Sequence, residues 1–457
     1  MTFLAPAVRF LLDYHRRPRT NLRLLLTRFL EKYRGRDKQA LTRTIYGVTR
    51  KEIVLEHVIG LFLKKKDRPP PLPTLILLKI SVFLLLFSES YPEYAVVNEA
   101  VNAAARKEKA FVNAVLRQML RRRAEVKERL AASTDPALKY SLAPLLLAAL
   151  QRIGAAADSD LEYLDREPLF HLRFHSGRMT MEQAQLALEA CAIPCRALPR
   201  LGCFETATVG RFLDQAGHLD EFYLQNSGSQ AVALVAASRA GKKVCDVAAA
   251  PGGKTLTLAC LRPDLKILAS DIHPLRLRLL EQNVRRLRLG NVSSFAADVL
   301  RYPAIGRPPD LLILDAPCTS CGTLRKNPDL KSRIDRRRVL ENARQQRLML
   351  DSLAARFSGS RLLYSVCSFL PEESEEVVEK IAAGRKLRPA DLKPMLQKLG
   401  FRVRQGEFGF YLLPSELNND LFYISLLEPI EPGNRSRRTA HGVRPEKAPN
   451  SNFQNQR

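Results

Sequence analysis

Acidic side chains are in short supply. Asp and Glu together number 47 against 73 Lys and Arg, which leaves a formal net charge of +26 over 457 residues. A field of that sign disfavours cationic partners and points to a polyanion, nucleic acid first. Long apolar runs are also missing. The most apolar stretch, residues 75–87, is interrupted by Lys79 and falls short of the ~20 residues that span a bilayer. It reads as a buried core helix, so no membrane association is expected. The first residues, M-T-F-L-A-P-A-V-R-F, lack the layout of a secretory signal, and a cytoplasmic location is expected. The eight cysteines (Cys191, Cys195, Cys203, Cys245, Cys260, Cys318, Cys321 and Cys367) are scattered through a large core-forming chain. That suits a reducing compartment better than a disulfide framework. Cys318-Thr319-Ser320-Cys321 is formally C-x-x-C, but no second pair stands at zinc spacing, and the motif leads into Gly322 and a basic loop rather than a helix. No metal is expected.

The amino-terminal part reads as helical. Apolar faces at helical spacing recur at 40–49, 53–63, 75–87, 96–105 and 111–120, broken by Pro69-Pro70-Pro71; this is the pattern of a helical bundle from about residue 21 to 123. Residues 126–168 form a connector with one helix over 142–152 and an acidic patch over 158–167. Between 170 and 209 the pattern changes to strand (H-L-R-F-H), helix (181–191) and return (192–199), a small α/β subdomain. The main domain is expected from Glu221, where residues 225–230 cap a helix over 231–238. After Glu431 the chain is polar, basic and rich in Pro, Asn and Arg, the composition of a disordered tail. The expected division is 1–128, 129–220, 221–430 and 431–457.

The stretch V-C-D-V-A-A-A-P-G-G-K-T at 244–255 organises the main domain. An apolar run at 243–247 has the length and β-branching of a buried strand. It breaks at Ala248-Ala249-Ala250-Pro251-Gly252-Gly253, and a helix-compatible run follows. Strand, tight turn and helix make the first unit of a parallel α/β sheet, whose ligands sit at the carboxyl ends of the strands. The turn is not a phosphate-binding P-loop, since Ala248 occupies the position that loop needs as glycine. It also lacks the G-x-G-x-x-G of nicotinamide-binding oxidoreductases. Further strands are expected at 266–270, 293–297, 311–314 and 361–366, a basic amphipathic helix at 275–287, and a closing hairpin from 408–413 and 422–427. The strand ends then carry Asp271, Asp298, Asp315-Ala316-Pro317-Cys318 and Cys367-Ser368 on one rim. An acid after the second strand is the usual acceptor for ribose hydroxyls. Two cysteines at strand ends sit where a parallel sheet places its catalytic groups.

Three segments, V-C-D-V-A-A-A-P-G-G-K-T, L-D-A-P-C-T-S-C-G-T-L-R-K-N-P-D-L-K and Y-S-V-C-S-F-L-P-E-E-S, resemble the RNA cytosine-C5 methyltransferases that use S-adenosyl-L-methionine. In the amino-terminal part, A-L-T-R-T-I-Y-G-V-T-R, Y-P-E-Y-A-V-V-N-E-A-V-N-A-A and F-V-N-A-V-L-R resemble the NusB-like all-α RNA-binding domain. Together they resemble the ribosomal RNA small-subunit methyltransferase B type over residues 5–430. The resemblance implies a Rossmann-like catalytic domain and small-subunit ribosomal RNA as partner, with a monomer as the working form. It implies a cofactor loop of Ala248, Ala249, Ala250, Pro251, Gly252, Gly253 and Lys254, with Arg276 beside it, Asp271 on the ribose and Asp298 on the adenine side. Asp315 would face the methyl group and the target base, Cys367 would be the nucleophile, and Cys318 would assist product release. Arg325-Lys326 and Arg336-Arg337-Arg338 are expected on phosphates. The chain departs from the family pattern at Asn226, Ala248, Asn327, Ser332, Val366 and Leu421, none of which removes a catalytic group. A non-catalytic RNA-binding or assembly factor is the competing expectation, against which the two intact cysteines stand.

Overall fold

The computed structural model describes residues 3–17, 20–63, 69–88, 90–215 and 219–430; the tail expected to be disordered, 431–457, lies outside them. The amino-terminal part is a helical domain built around the helix Leu72–Phe87, in which 12 of 16 residues are buried. Pro71 and Pro73 start this helix, and its apolar side chains cover every face, the signature of a helix with no solvent side. Lys79 is tolerated in its middle because its ammonium meets Glu52 at 2.8 Å and Glu56 at 2.7 Å. The helix Leu4–His15 packs against it through Leu4, Ala7, Phe10, Leu11 and Tyr14. That helix lies ahead of the stretch expected to be helical. Its spacing is regular, but Phe3 gives no capping side chain, so its start carries no signal.

A small antiparallel sheet follows, in the order β2-β3-β1-β4: β1 is Phe170–Phe174, β2 Arg196–Leu198, β3 Cys203–Thr206 and β4 Phe222–Leu224. The helix Met181–Ala190 packs on it, opened by a reciprocal capping box between Thr180 and Gln183. β4 lies within the stretch expected to open the main domain. A three-residue strand is too short to show a period of two, so only its pairing with β1 reveals it. The connector helices Pro144–Arg152 and Asp158–Asp165 do not join this subdomain. Leu146, Leu150, Leu161 and Leu164 share one core with Leu312, Leu314, Leu353 and Tyr364 of the main domain.

The main sheet comprises β5 (Lys243–Asp246), β6 (Lys266–Asp271), β7 (Val292–Ala296), β8 (Leu311–Asp315), β9 (Arg361–Val366), β10 (Leu387–Pro389), β11 (Arg402–Gln405), β12 (Phe410–Leu413) and β13 (Phe422–Pro429). Its order is β11-β12-β13-β9-β8-β5-β6-β7, with β10 on the far end of β13. The five strands from β9 to β7 are parallel. β13 enters antiparallel against β9 and is followed outward by β12 and β11. The closing hairpin is therefore internal to the sheet. Helices cover both faces, among them Ser227–Arg239, Gly253–Leu261 and Arg336–Arg356.

The helical domain is fastened to the main domain through the loop that follows β8. The Tyr14 hydroxyl donates to Asp329 at 2.6 Å, and the Ser332 hydroxyl donates to Glu52 at 2.7 Å. Asp165 holds Lys51 at 2.5 Å and Lys331 at 2.7 Å. Lys331 is fully buried, and burial drives its ammonium down to about 8 while Asp165 opposes that shift.

Candidate active site at the carboxyl ends of the parallel strands

The turn after β5 is shaped by Gly252, whose φ of 113° is open only to glycine without strain. The helix Gly253–Leu261 starts there, so its first amides face the rim of the sheet. Two bonds tie the turn to the end of β6, and a third ties it to the helix that follows. Ala249 N donates to Ser270 O at 2.8 Å, Ala250 N to Asp271 Oδ2 at 3.2 Å, and Arg276 to the carbonyl of Ala250 at 2.6 Å. Asp271 also accepts from His273 N at 2.9 Å through Oδ1. Each of its oxygens keeps a lone pair for a hydroxyl. Asp298 is two residues past β7. It caps the turn Val299–Arg301 by accepting from Leu300 N at 3.0 Å, and Ala297 N reaches the Asp271 carbonyl at 3.2 Å. Asp271, Asp298 and the 248–254 turn thus share one rim. Arg276 holds the turn's backbone rather than standing free. A small-residue turn, a helix amino end and a carboxylate with spare lone pairs are a donor set that fits a nucleoside carrying an amino-acid arm.

The second half of the site is built by β8 and β9, parallel neighbours with Asp315 opposite Ser365. Cys318 and Cys367 leave these two strand ends, and their sulfurs lie 3.5 Å apart. Both are half-buried. Ser320, in the left-handed conformation at φ 60°, brings its hydroxyl to 3.5 Å from the Cys367 sulfur. The pair titrates as a unit. The hydrogen bond from Cys318 holds Cys367 below the ordinary thiol range, helped by Ser320 and Lys254 and opposed by burial and Asp315. The same bond, with burial, pushes Cys318 well up. The bond therefore favours the thiolate on Cys367 over one on Cys318.

Lys254 crosses from the turn after β5 to the end of β8, where its ammonium meets Asp315 Oδ2 at 2.5 Å. The Ser365 hydroxyl donates to Asp315 Oδ1 at 2.7 Å. The sequence reading counted Lys254 with the cofactor loop; the structure gives its ammonium to Asp315. This contact makes the turn and the cysteine pair a single crevice. Ser320 and Ser365 went unread, because a serine beside a motif carries no pattern of its own.

Of the basic segments expected on phosphates, one has bonds within the fold. Arg325 is buried, stacks 4.3 Å over Tyr163 and donates to the carbonyl of Glu167; Lys326 pairs with Asp420 at 2.7 Å. Both serve packing. Arg336, Arg337 and Arg338 are exposed at the start of the helix Arg336–Arg356. A cleft of about 1060 Å³ opens between the helical domain and the catalytic domain, with Arg23, Lys38, Arg43, Arg50 and Lys51 in its lining. Among the described residues no group of His, Cys, Asp or Glu is arranged to hold a metal ion, and no helix is long and apolar enough to cross a membrane.

Residues 233–428 match the family model described as 16S rRNA methyltransferase RsmB/F, and residues 7–121 match the NusB family. The domain at 233–428 belongs to the RsmB/F methyltransferase family, and the helical domain at 7–121 to the NusB family. The chain is similar to ribosomal RNA small subunit methyltransferase B of Erwinia tasmaniensis, with 27% identity over 82% of this chain and 90% of that one. The relative of the same description from Shewanella oneidensis is 27% identical over 86% of this chain and 91% of that one. Among solved structures, PH0851 superposes with a TM-score of 0.67 at 23% identity, covering 89% of this chain and 93% of that one. NSun6 from Pyrococcus horikoshii with SFG superposes at 0.54 and 18% identity, over 64% of this chain and 99% of that one. These two show the shared fold. The protein is an S-adenosylmethionine-dependent RNA methyltransferase, with a NusB-type helical domain ahead of a Rossmann-like catalytic one.

Proposed function

We propose that this enzyme methylates carbon 5 of a cytosine in small-subunit ribosomal RNA, in the cytoplasm and as a monomer, with Cys367 as nucleophile and Cys318 as the residue of release. The observation that carries the reading is the pair of sulfurs 3.5 Å apart beside the Lys254–Asp315 contact, at the rim where the 248–254 turn lies. Carbon 5 of cytosine is a weak nucleophile. The Cys367 thiolate adds to carbon 6, and the electron pair displaced from the ring double bond makes carbon 5 reactive. A thiolate suits this role because it attacks well and also leaves well. S-adenosylmethionine, when bound, supplies the electrophilic methyl group. Asp315 faces the ring and, by sharing a proton with the base, stabilises charge at the ring nitrogen. A general base then takes the carbon 5 proton, the freed C–H electron pair restores the ring double bond, and the bond from carbon 6 to sulfur breaks to expel Cys367 as thiolate; Cys318 assists by hydrogen-bonding the departing sulfur. The cytosine must be unpaired or turned out of its stack to enter. Asp271 and Asp298 hold the nucleoside half of the cofactor.

The test is a denaturing gel with labelled ribosomal RNA. Cys367→Ala abolishes methyl transfer. Cys318→Ala accumulates a covalent protein–RNA adduct, because attack survives while release fails. A Cys318→Ala protein that runs free of RNA, together with an active Cys367→Ala, overturns the assignment. Bisulfite sequencing of ribosomal RNA with and without the gene names the modified cytosine.

A further inference from the structure

One buried carboxylate is not used by the chemistry above. Glu373 closes the short turn Pro371–Glu373 after the Cys367 loop and has no solvent exposure. Among the described residues no cation pairs with it. A lone buried charge is costly, yet this one is surrounded by neutral donors. Oε1 accepts from Thr319 N at 2.8 Å, Asn342 Nδ2 at 3.1 Å and Gln346 Nε2 at 3.4 Å. Oε2 accepts from the hydroxyls of Thr319 and Ser368, both at 2.6 Å. Gln346 Nε2 also reaches the Pro317 carbonyl at 2.8 Å, and the Tyr364 hydroxyl donates to the Glu373 carbonyl at 2.7 Å.

The placement of these donors is specific. Thr319 follows Cys318 in the chain, and Ser368 follows Cys367. A single side chain thus grips the residue after each sulfur and pins both to Asn342 and Gln346, which lie on the helix Arg336–Arg356. A buried ion is a poor device for net stability, since apolar packing does as well at lower cost. It is a good device for fixing two loops at one distance, because its three bonds to those loops, at 2.8, 2.6 and 2.6 Å, are short and directional.

We propose that Glu373 is the positioning residue that sets the separation of the Cys318 and Cys367 sulfurs by clamping the two loops that carry them. The proposal rests on the reading of those cysteines as the catalytic pair. Glu373 touches neither the cytosine nor the cofactor, so its loss acts on turnover and not on binding.

The experiment uses the full-length enzyme with ribosomal RNA. Glu373→Gln keeps the shape but turns an amide N–H toward groups that themselves donate, so the clamp opens. Turnover is expected to fall about 10²-fold, the cost of a reacting group misplaced by ~1 Å. The KM for RNA and the Kd for S-adenosylmethionine stay within about threefold. In a Cys318→Ala background, adduct formation slows to the same degree. Thr319→Val and Ser368→Ala, which release one loop each, reproduce part of the loss. Combined, they do no more harm than Glu373→Gln, since all act through one carboxylate. Should Glu373→Gln fail to fold, these two variants decide alone. A merely structural Glu373 predicts a lower melting temperature with turnover within about threefold of wild type well below melting, and that result overturns the proposal. Cys367→Ala separates the two levels. If it retains activity, the underlying reading of the cysteines has failed; if it is inactive while the clamp variants turn over normally, only the clamp has.

Discussion

Replacing Gly322 by alanine tests how the two cysteine loops are joined. Gly322 has an ordinary backbone conformation, so nothing about its φ demands glycine; the space around it does. Its N–H donates to the carbonyl of Cys367 at 2.9 Å, and its carbonyl accepts from Leu421 N at 3.1 Å. A Cβ built there stands 2.0 Å from the Leu421 oxygen and 3.0 Å from the Cys367 oxygen. Both obstacles are backbone, and neither can swing aside. Restoring a normal carbon–oxygen contact requires the chains to part by about 1 Å, which breaks both hydrogen bonds. Each is worth about 1 kcal/mol net, and a buried group left without a partner costs about 1–3 kcal/mol, so a loss of about 2–4 kcal/mol is expected. Cys367 moves with its own carbonyl, and displacement of about 1 Å lowers the rate by about 10²-fold. Calorimetric melting and single-turnover methyl transfer measure the two effects. Gly60→Ala is the control: nothing lies within 4 Å of its Cβ, and the change should be neutral or mildly stabilising. If Gly322→Ala melted and turned over like wild type, the stitch between the loops would not exist as described.

Three other perturbations have defined outcomes. Because the hydrogen bond from Cys318 is the largest cause holding Cys367 down, Cys318→Ala should move the midpoint of Cys367 alkylation by iodoacetamide to higher pH; an unchanged midpoint refutes the shared proton. Lys79→Met removes the cation nearest the buried Glu52 and should cost about 3–5 kcal/mol, with much of it recovered in Lys79→Met/Glu52→Gln. Burial pushes His171 down from 6.5 to about 4, with Nε2 2.8 Å from the Leu417 carbonyl. A depressed histidine contributes stability that is intact above its unfolded value and lost as pH falls from 6.5 toward 4, about 3 kcal/mol in all; His171→Gln should flatten that limb of the stability–pH curve, and an unaltered limb contradicts it.

The parallel half of the main sheet was legible because these strands are short apolar runs ending in or just before a chemically conspicuous residue: Asp271 at the end of β6, Asp315 at the end of β8, Cys367 after β9. The run at 422–427 was equally clear as a strand, but its place between β9 and β12 is a long-range pairing that no local pattern encodes. The core helix Leu72–Phe87 announced itself by being apolar on all sides. The first helix and β4 did not, one for want of a cap, the other for want of length. At the site, residue types were readable and partners were not. Lys254 belongs by sequence to the cofactor turn, and only the crossing from β5 to β8 reveals that it neutralises Asp315. The partners of Arg325-Lys326 were equally unreadable: the fold lays Arg325 on Tyr163 and Lys326 on Asp420, with both at the basic cleft.

The departures from the family pattern follow the same logic. Leu421 stands where glycine is usual, yet its side chain is buried in the main core, while its N–H still serves Gly322. Asn226 keeps the capping function of the acid it replaces, accepting from Gly228 N at 2.9 Å through its amide oxygen. Asn327 donates to the Thr323 hydroxyl at 2.8 Å, inside the loop. Ser332 donates outward, to Glu52 of the helical domain. With Tyr14 on Asp329, Arg50 on the Arg325 carbonyl at 3.1 Å and Asp165 between Lys51 and Lys331, it makes the loop after Cys318 a shared element of both domains. The Asn-Pro-Asp-Leu-Lys segment therefore does its work by docking. A helical domain seated on the loop that carries one of the two sulfurs cannot shift without moving that loop.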